Sequence, residues 1–349
     1  MTYANYDDAL GQLQAAGFDL HDIEVGRMKR CKVRDLSQKG WYSLHEIKLD
    51  DGRYALVGAY GWWIGGEKFV KNIDLRIGKE AMPLSSDQQA AIRQRIAEEK
   101  KRADAARRAE NEKAAQAAAA AWRGYVTEGS SDYLVRKHVG AHGIRFAPSG
   151  AGTLAVPMTD SAGKVWGLQL IRGKARPAGK LEKEYWPKGL AKQGKYHLIG
   201  GVPRDILLLA EGYATAATLH QATGLPVAVA FDAGNLLPVA QALHKAHPRV
   251  KILICADDDY LTEGNPGVKA AEAAALAVGG AVAVPQFSID RENKKITDFN
   301  DLAEREGEGV VLHQISARLA ALEWGTQAKR PPTGAGLQEQ GGGGKQPLA

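Results

Sequence analysis

Residues 250–267 read VKILICADDDYLTEGNPG, an apolar run that delivers Asp257, Asp258 and Asp259 side by side into a loop. Adjacent carboxylates repel, and holding them close raises the pKa of at least one unless a cation or hydrogen bonds compensate. A solvated turn would relieve the repulsion by spreading the side chains into water, so the surroundings decide what the motif is. Around it the chain alternates strand and helix patterns: ILLLA before EGYATAATLHQAT, VAVAF before AGNLLPVAQALHKA, VKILICA before NPGVKAAEAAALAV, and AVAVP closing the series. Continuous apolar strands alternating with helices predict a parallel sheet covered on both faces. Ligands of such sheets collect at the carboxyl ends of the strands. Glu211 follows the first strand, the three aspartates follow the third, and Asp298 and Asp301 in TDFNDL follow the fourth.

Working outward, the chain divides into five segments. Residues 1–82 alternate around an Asp-Asp-Gly turn (WYSLHEIKL, DDG, RYALVGAYG) and predict a small β-rich domain. Trp41, Tyr42, Tyr54, Tyr60, Trp62 and Trp63 crowd into it; they suit core packing first and base stacking second, which makes the domain a candidate nucleic-acid binder. Residues 83–122 hold the run SSDQQAAIRQRIAEEKKRADAARRAENEKAAQAAAAA, which contains neither Gly nor Pro and predicts a long charged helix acting as a linker. Residues 123–203 form a basic subdomain of short strands, with a hairpin turn at Asp160–Gly163. Residues 204–324 carry the strand–helix alternation, and the Gly-, Pro- and Gln-rich segment 325–349 is expected to be disordered. GGGGK at 341–345 is no phosphate-binding loop, because Glu339 stands where the first glycine is needed and Gln346 follows Lys345.

Charge is divided in the same way. The whole chain carries +6, but residues 123–200 hold 13 Lys and Arg against 5 Asp and Glu, while residues 201–325 hold 10 against 16. A basic lobe beside an acidic one suits an enzyme that grips phosphates with one half and divalent cations with the other. Lys174, Lys180, Lys183 and Lys188, with Tyr185 among them, suit phosphate contacts plus base stacking on a nucleic acid or nucleotide substrate. Lys269 and Asn265 are further candidate substrate or nucleic-acid contacts, and Asn265 and Gly267 are also expected to shape the loop after the aspartates. His138, His142 and His197 read as surface or hydrogen-bonded core histidines rather than ligands. Two cysteines, Cys31 and Cys255, provide neither a disulfide framework nor a four-ligand zinc site. The N-terminus lacks a signal-peptide pattern and no apolar run reaches membrane length, which predicts a cytoplasmic protein without a membrane partner.

Carboxylates at separate strand ends of one sheet make a cradle for Mg²⁺, which takes oxygen ligands and keeps water and substrate phosphates in its remaining positions. Such a site orients a triphosphate or phosphodiester and stabilises charge on the attacking and leaving oxygens. Glu211 is the natural general base on an attacking hydroxyl. A phosphoaspartate receiver would need its acidic pair early and a downstream Lys, and a DxDx[TV] phosphatase is disfavoured because Tyr260 and Leu261 follow the aspartates.

AEGYATAATLHQATG, VAVAFDAGNL, ICADDD with NPG, and TDFNDL together resemble the Toprim domain of bacterial primases and topoisomerases, most of all that of plasmid- and phage-type DNA primases. The stretch before it (DYLVRKHV, GIRFAP, TLAVPMTDSAGKVWGLQLI, GKYHLIGG) resembles the basic nucleic-acid-binding half of the same primase core. The resemblance implies an α/β fold: a Toprim parallel sheet flanked by helices, preceded by a basic α+β subdomain, a helical linker and the small β-rich domain. It places the family's glutamate on Glu211 and its DxD pair on Asp257 and Asp259, 46 and 48 residues later. By resemblance these bind Mg²⁺, with Mn²⁺ able to substitute and Asp298 as a further ligand, while Asp258 stands toward the substrate. Thr215 occupies a position that is often acidic in primases, and no zinc ribbon precedes the core, so no zinc is expected.

The implied activity is synthesis of short RNA primers from ribonucleoside triphosphates on a single-stranded DNA template, with a replicative helicase in trans as a candidate partner. A metal-dependent Toprim nuclease and a non-catalytic single-stranded-DNA-binding accessory protein are the alternatives. A topoisomerase would need a catalytic tyrosine in a strand-passage domain for which the chain has no room.

Overall fold

The computed structural model describes residues 3–49, 51–64, 67–77, 80–81, 86–150, 152–173, 182–291 and 294–325. Lys174, Lys180 and the segment 326–349 lie outside the described residues. The chain forms two compact units, Met1–Ala109 and Glu110–Ala349. Among the described residues no helix is long and apolar enough to cross a membrane.

In the first unit, helix α1 (Tyr6–Ala15) packs on an antiparallel sheet ordered β1 (Met28–Val33), β2 (Leu36–Lys48), β3 (Tyr54–Ile64), β4 (Glu67–Asn72). A two-residue pair, β5 (Arg76–Ile77) and β6 (Glu80–Ala81), follows. The Asp-Asp-Gly turn joins β2 to β3 because Gly52 adopts φ +87° and the Asp51 carboxylate accepts the Arg53 amide at 3.0 Å. Half of the aromatic cluster is core: Tyr42, Tyr60 and Trp62 pack with Ala9 and Leu13 of α1. Trp63, one residue on and therefore on the other face of β3, is 63% exposed.

Helix α2 (Ser86–Gly124) runs 39 residues without a break, as its composition predicts. Its last turns belong to the second unit and are more than a linker, because Ala114, Ala115 and Ala118 are buried there. The second unit then holds the short helix α3 (Asp132–Arg136) and an antiparallel sheet ordered β10 (Lys183–Trp186), β9 (Val165–Ile171), β8 (Leu154–Thr159), β7 (Arg145–Phe146). Ala118 packs against Ala155 of β8 and Leu168 of β9; small side chains let the helix approach the sheet closely. The β8–β9 turn is built by Asp160, which accepts the amides of Ala162 and Lys164 at 3.0 and 3.1 Å.

The five-stranded sheet is ordered β11 (His197–Ile199), β13 (Val227–Val229), β12 (Ile206–Ala210), β14 (Lys251–Cys255), β15 (Ala281–Ala283). The four strands read from the sequence are mutually parallel. The fifth, β11, is antiparallel to β13, so the sheet is mixed and draws its edge from the segment read as the basic lobe. Side chains alternate between two cores: Ile206, Leu208 and Ala210 face one, Leu207 and Leu209 the other. Helices α5 (Leu236–Ala246) and α6 (Pro266–Val278) cover the second face, and α4 (Tyr213–Thr223), α7 (Phe299–Glu306) and α8 (Glu308–Ala321) cover the first. Each fully buried leucine of β12 contributes about 2 kcal/mol. The first core also takes in Tyr133, Val156 and Met158, so the basic segment and the parallel-sheet segment share one interior.

Candidate active site

Strand β12 lies between β13 and β14, so the residues just beyond its carboxyl end are flanked by those that leave its two neighbours. Glu211 leaves β12, Asp232 follows the end of β13 by three residues, and Asp257–Asp259 leave β14. Asp298 enters from the side as the N-cap of α7.

The middle aspartate differs from its neighbours. Asp258 Oδ1 accepts the Asn265 amide at 2.6 Å and Oδ2 accepts Arg291 Nη1 at 2.7 Å. Asp258, read from the sequence as a substrate contact, has one oxygen bonded within its own loop and the other to Arg291 on the segment before α7. Asp259 Oδ2 accepts the Gly267 amide at 3.1 Å, at the first turn of α6, where the helix dipole favours a negative charge. Gly267 cannot be replaced without movement: a Cβ there would lie 2.3 Å from the Asp257 carbonyl oxygen. Asn265, at φ +44°, caps α6 by accepting the Val268 amide at 3.4 Å. Asn265 and Gly267 thus shape the loop, as their positions suggest. Lys269 folds back over Gly264.

Asp257 is the unpaired member. Its Oδ1 is buried and has no hydrogen-bond partner. Burial, with Asp298, Glu211, Asp259 and Asp301 adding repulsion, pushes its carboxyl up to about 9. Burial raises Glu211 as well, with Asp232 and Asp259 adding to the rise; the Ala233 amide and the Lys183 ammonium oppose it. Burial raises Asp298, and the nearby Asp301 charge adds to that. The Asp298 carboxylate is nonetheless well held: Oδ1 accepts the Asp301 amide at 2.8 Å and Oδ2 accepts the Thr215 hydroxyl at 3.0 Å. Asp301 closes the capping box through the Thr297 and Asp298 amides and receives Lys137 at 3.5 Å.

Among the described residues no three or more His, Cys, Asp and Glu side chains already stand as a closed metal ligand set. The donors nevertheless fit a hard divalent cation. They are carboxylates that destabilise one another when ionised, and one buried oxygen lacks any partner. A cation that keeps several waters does not require a closed protein cage.

The basic side of the site is β10. Lys183 is exposed and close enough to Glu211 to favour its ionised form. The Tyr185 hydroxyl is 3.1 Å from both the Phe231 carbonyl oxygen and Asp232 Oδ2, and Lys192 forms an ion pair with Asp232. Lys188 is exposed. Asp232 and Thr215 were not singled out as site residues in the sequence. Asp232 could have been found, since it leaves a parallel strand at the same end as the others. His197 is buried, bonded through Nε2 to the His142 carbonyl at 2.8 Å, and stands in the core.

Residues 206–309 match the Toprim domain family. Over 265 residues, 70% of this chain and 18% of the relative, the sequence is 33% identical to DNA primase TraC from Escherichia coli. A second Escherichia coli DNA primase TraC is 38% identical over 141 residues, 38% of this chain and 13% of the relative. The chain therefore spans less than a fifth of the length of the curated relatives it matches. Among solved structures, the DnaG primase catalytic domain bound to single-stranded DNA aligns with a TM-score of 0.41 at 16% identity, covering 61% of this chain and 80% of that one. Residues 206–309 thus match the Toprim domain family, in a chain whose sequence is similar to that of DNA primase TraC.

Proposed function

We propose that this chain synthesises short RNA primers on single-stranded DNA by nucleotidyl transfer. One observation carries the reading: carboxylates from separate strand ends meet around the unpartnered Asp257 oxygen, with the Lys183 ammonium of the basic sheet facing Glu211. The sequence similarity to DNA primases over 70% of the chain supports it.

Asp257, Asp259 and Asp298 would hold the divalent cation, and Mg²⁺ is the expected ion. When bound, the ion neutralises carboxylate repulsion and stabilises charge on the phosphoryl oxygens of the incoming triphosphate. Glu211, whose carboxylate burial makes more basic than usual, would accept the proton of the attacking 3′-hydroxyl. The 3′-oxygen then bonds to the α-phosphorus and pyrophosphate leaves. Lys183 and Lys188 on the basic lobe contact template or triphosphate; Lys174 and Lys180 are assigned the same role from their place in the lysine-rich segment. A helicase acting in trans would supply unwound template.

The test is primer synthesis by purified protein on single-stranded DNA of varied sequence with labelled ribonucleotides and Mg²⁺ or Mn²⁺. An Asp257→Ala, Asp259→Ala double variant runs beside it. Short RNA products that vanish in the variant support the reading. Cleavage of the DNA by wild type alone would replace it with a nuclease, and binding without either reaction would leave an accessory protein.

A further inference from the structure

Among the described residues Arg291 forms an ion pair with Asp258, and aromatic rings pack against its guanidinium. The guanidinium lies 3.7 Å from the centre of the Tyr260 ring and 5.1 Å from that of Phe287, so the fork is held against two aromatic rings. The Arg291 and Asp258 side chains are 21% and 15% exposed. Two more bonds tie the same segments together: the Asp258 amide donates to the Thr297 carbonyl at 2.8 Å, and the Tyr260 hydroxyl donates to the Lys294 carbonyl at 2.7 Å. The segment so tied runs directly into Asp298.

We propose that the Arg291–Asp258 pair is a positioning clamp that sets the separation between Asp257 and Asp259 on one loop and Asp298 on the other, and so tunes the affinity for the divalent cation. The proposal rests on the cation reading of those three carboxylates. The clamp also accounts for the run of three aspartates. The middle one is neutralised by Arg291 and points its oxygens into the fold, which leaves the outer two to serve the site. Neither clamp residue touches the cation or the reacting atoms; they act through the loops that they join. Arg rather than Lys suits the position, because a planar fork can stack on Tyr260 while it donates to a carboxylate.

The experiment measures Mn²⁺ affinity directly, by electron paramagnetic resonance of free Mn²⁺, on full-length wild type, Asp258→Asn, Arg291→Ala, Arg291→Lys and the Asp258→Asn, Arg291→Ala double variant. Circular dichroism fixes a temperature at which each is folded. Loss of either partner is expected to weaken Mn²⁺ binding about tenfold, the lower end of what outer-shell partners contribute. The double variant is expected to bind no more weakly than the worse single one, because the two residues act as one unit. Arg291→Lys should recover part of the loss. Variants that melt earlier yet bind Mn²⁺ as wild type does would overturn the clamp and leave the cation site standing. Additive losses in the double variant would overturn it as well. A wild-type chain that binds no Mn²⁺ would remove the cation site itself, and the clamp with it.

Discussion

At the scale of one residue, Asp257 shows what the site costs the fold. Its carboxyl sits at about 9 in the folded protein, against about 3.9 in an unfolded chain. Between those values the folded protein holds a proton that the unfolded chain has released. Stability therefore falls as pH rises through that window and is least affected near pH 4. Asparagine at 257 imitates the protonated form at every pH. In the absence of divalent cations, Asp257→Asn should raise stability at pH 8 by on the order of 2 kcal/mol, roughly 4–8 °C in Tm for a unit of this size, with the gain shrinking toward pH 4. Mg²⁺ should raise the Tm of wild type and leave that of the variant nearly unchanged. Differential scanning calorimetry at the two pH values, with EDTA and with Mg²⁺, reads all four quantities. A variant less stable than wild type at pH 8 would show that the Asp257 charge is compensated without a cation.

At the scale of elements, the sequence discloses strands better than the contacts between loops. The four parallel strands are legible because ILLLA and its counterparts are buried on both faces, which leaves continuous apolar runs. Strand β11 is not: three residues bracketed by glycines carry no period, and its partner lies about thirty positions further on. Glu211 and the outer aspartates are legible from the rule that ligands meet at strand ends. The pairs Thr215–Asp298 and Asp258–Arg291 join positions 83 and 33 apart, and no local pattern sets the register of one loop against another. Thr215 illustrates what was hidden. Its buried hydroxyl ties α4 to the cap of α7, so it orients Asp298 where an acidic residue would instead add a charge. Thr215→Val keeps the shape and removes the donor, leaving a buried acceptor with one bond fewer. It is expected to lower stability by about 1–2 kcal/mol and to weaken Mg²⁺-induced stabilisation, while Thr215→Ser restores both. Equal behaviour of the Val and Ser variants in Mg²⁺-dependent melting would mean that the hydroxyl does not orient the carboxylate.

At the scale of the whole molecule, a buried histidine of the second unit adds to the acid limb of the pH–stability curve. His197 opposes the carboxylates: burial lowers it to about 4, below its unfolded value near 6.5. The unfolded chain takes up a proton that the folded protein refuses. Stability is therefore intact above pH 6.5 and is lost as pH falls toward 4, by roughly 3 kcal/mol at completion. His197→Gln in the Asp257→Asn background should flatten that limb in chemical denaturation. The division into two units carries the last prediction. The excess of 13 basic over 5 acidic residues falls within 123–200, and the shared core that supports it lies wholly after Glu110. Residues 110–349 should therefore unfold cooperatively on their own, since α2 beyond that point is held by Ala114, Ala115 and Ala118 rather than by helix propensity. The first unit carries nearly balanced charge, 19 basic against 16 acidic residues over 1–109, so its removal should leave the salt dependence of single-stranded DNA binding nearly unchanged. Each phosphate contact contributes a slope of about −0.7 in log K against log salt. Fluorescence anisotropy between about 50 and 200 mM salt, on the full chain and on residues 110–349, measures it. Equal slopes with weaker binding by the fragment would assign the first unit a stacking contribution through exposed aromatics such as Trp63. A slope shallower by about 1.4 or more would place at least two phosphate contacts on the first unit and overturn the assignment of the template to the basic lobe alone.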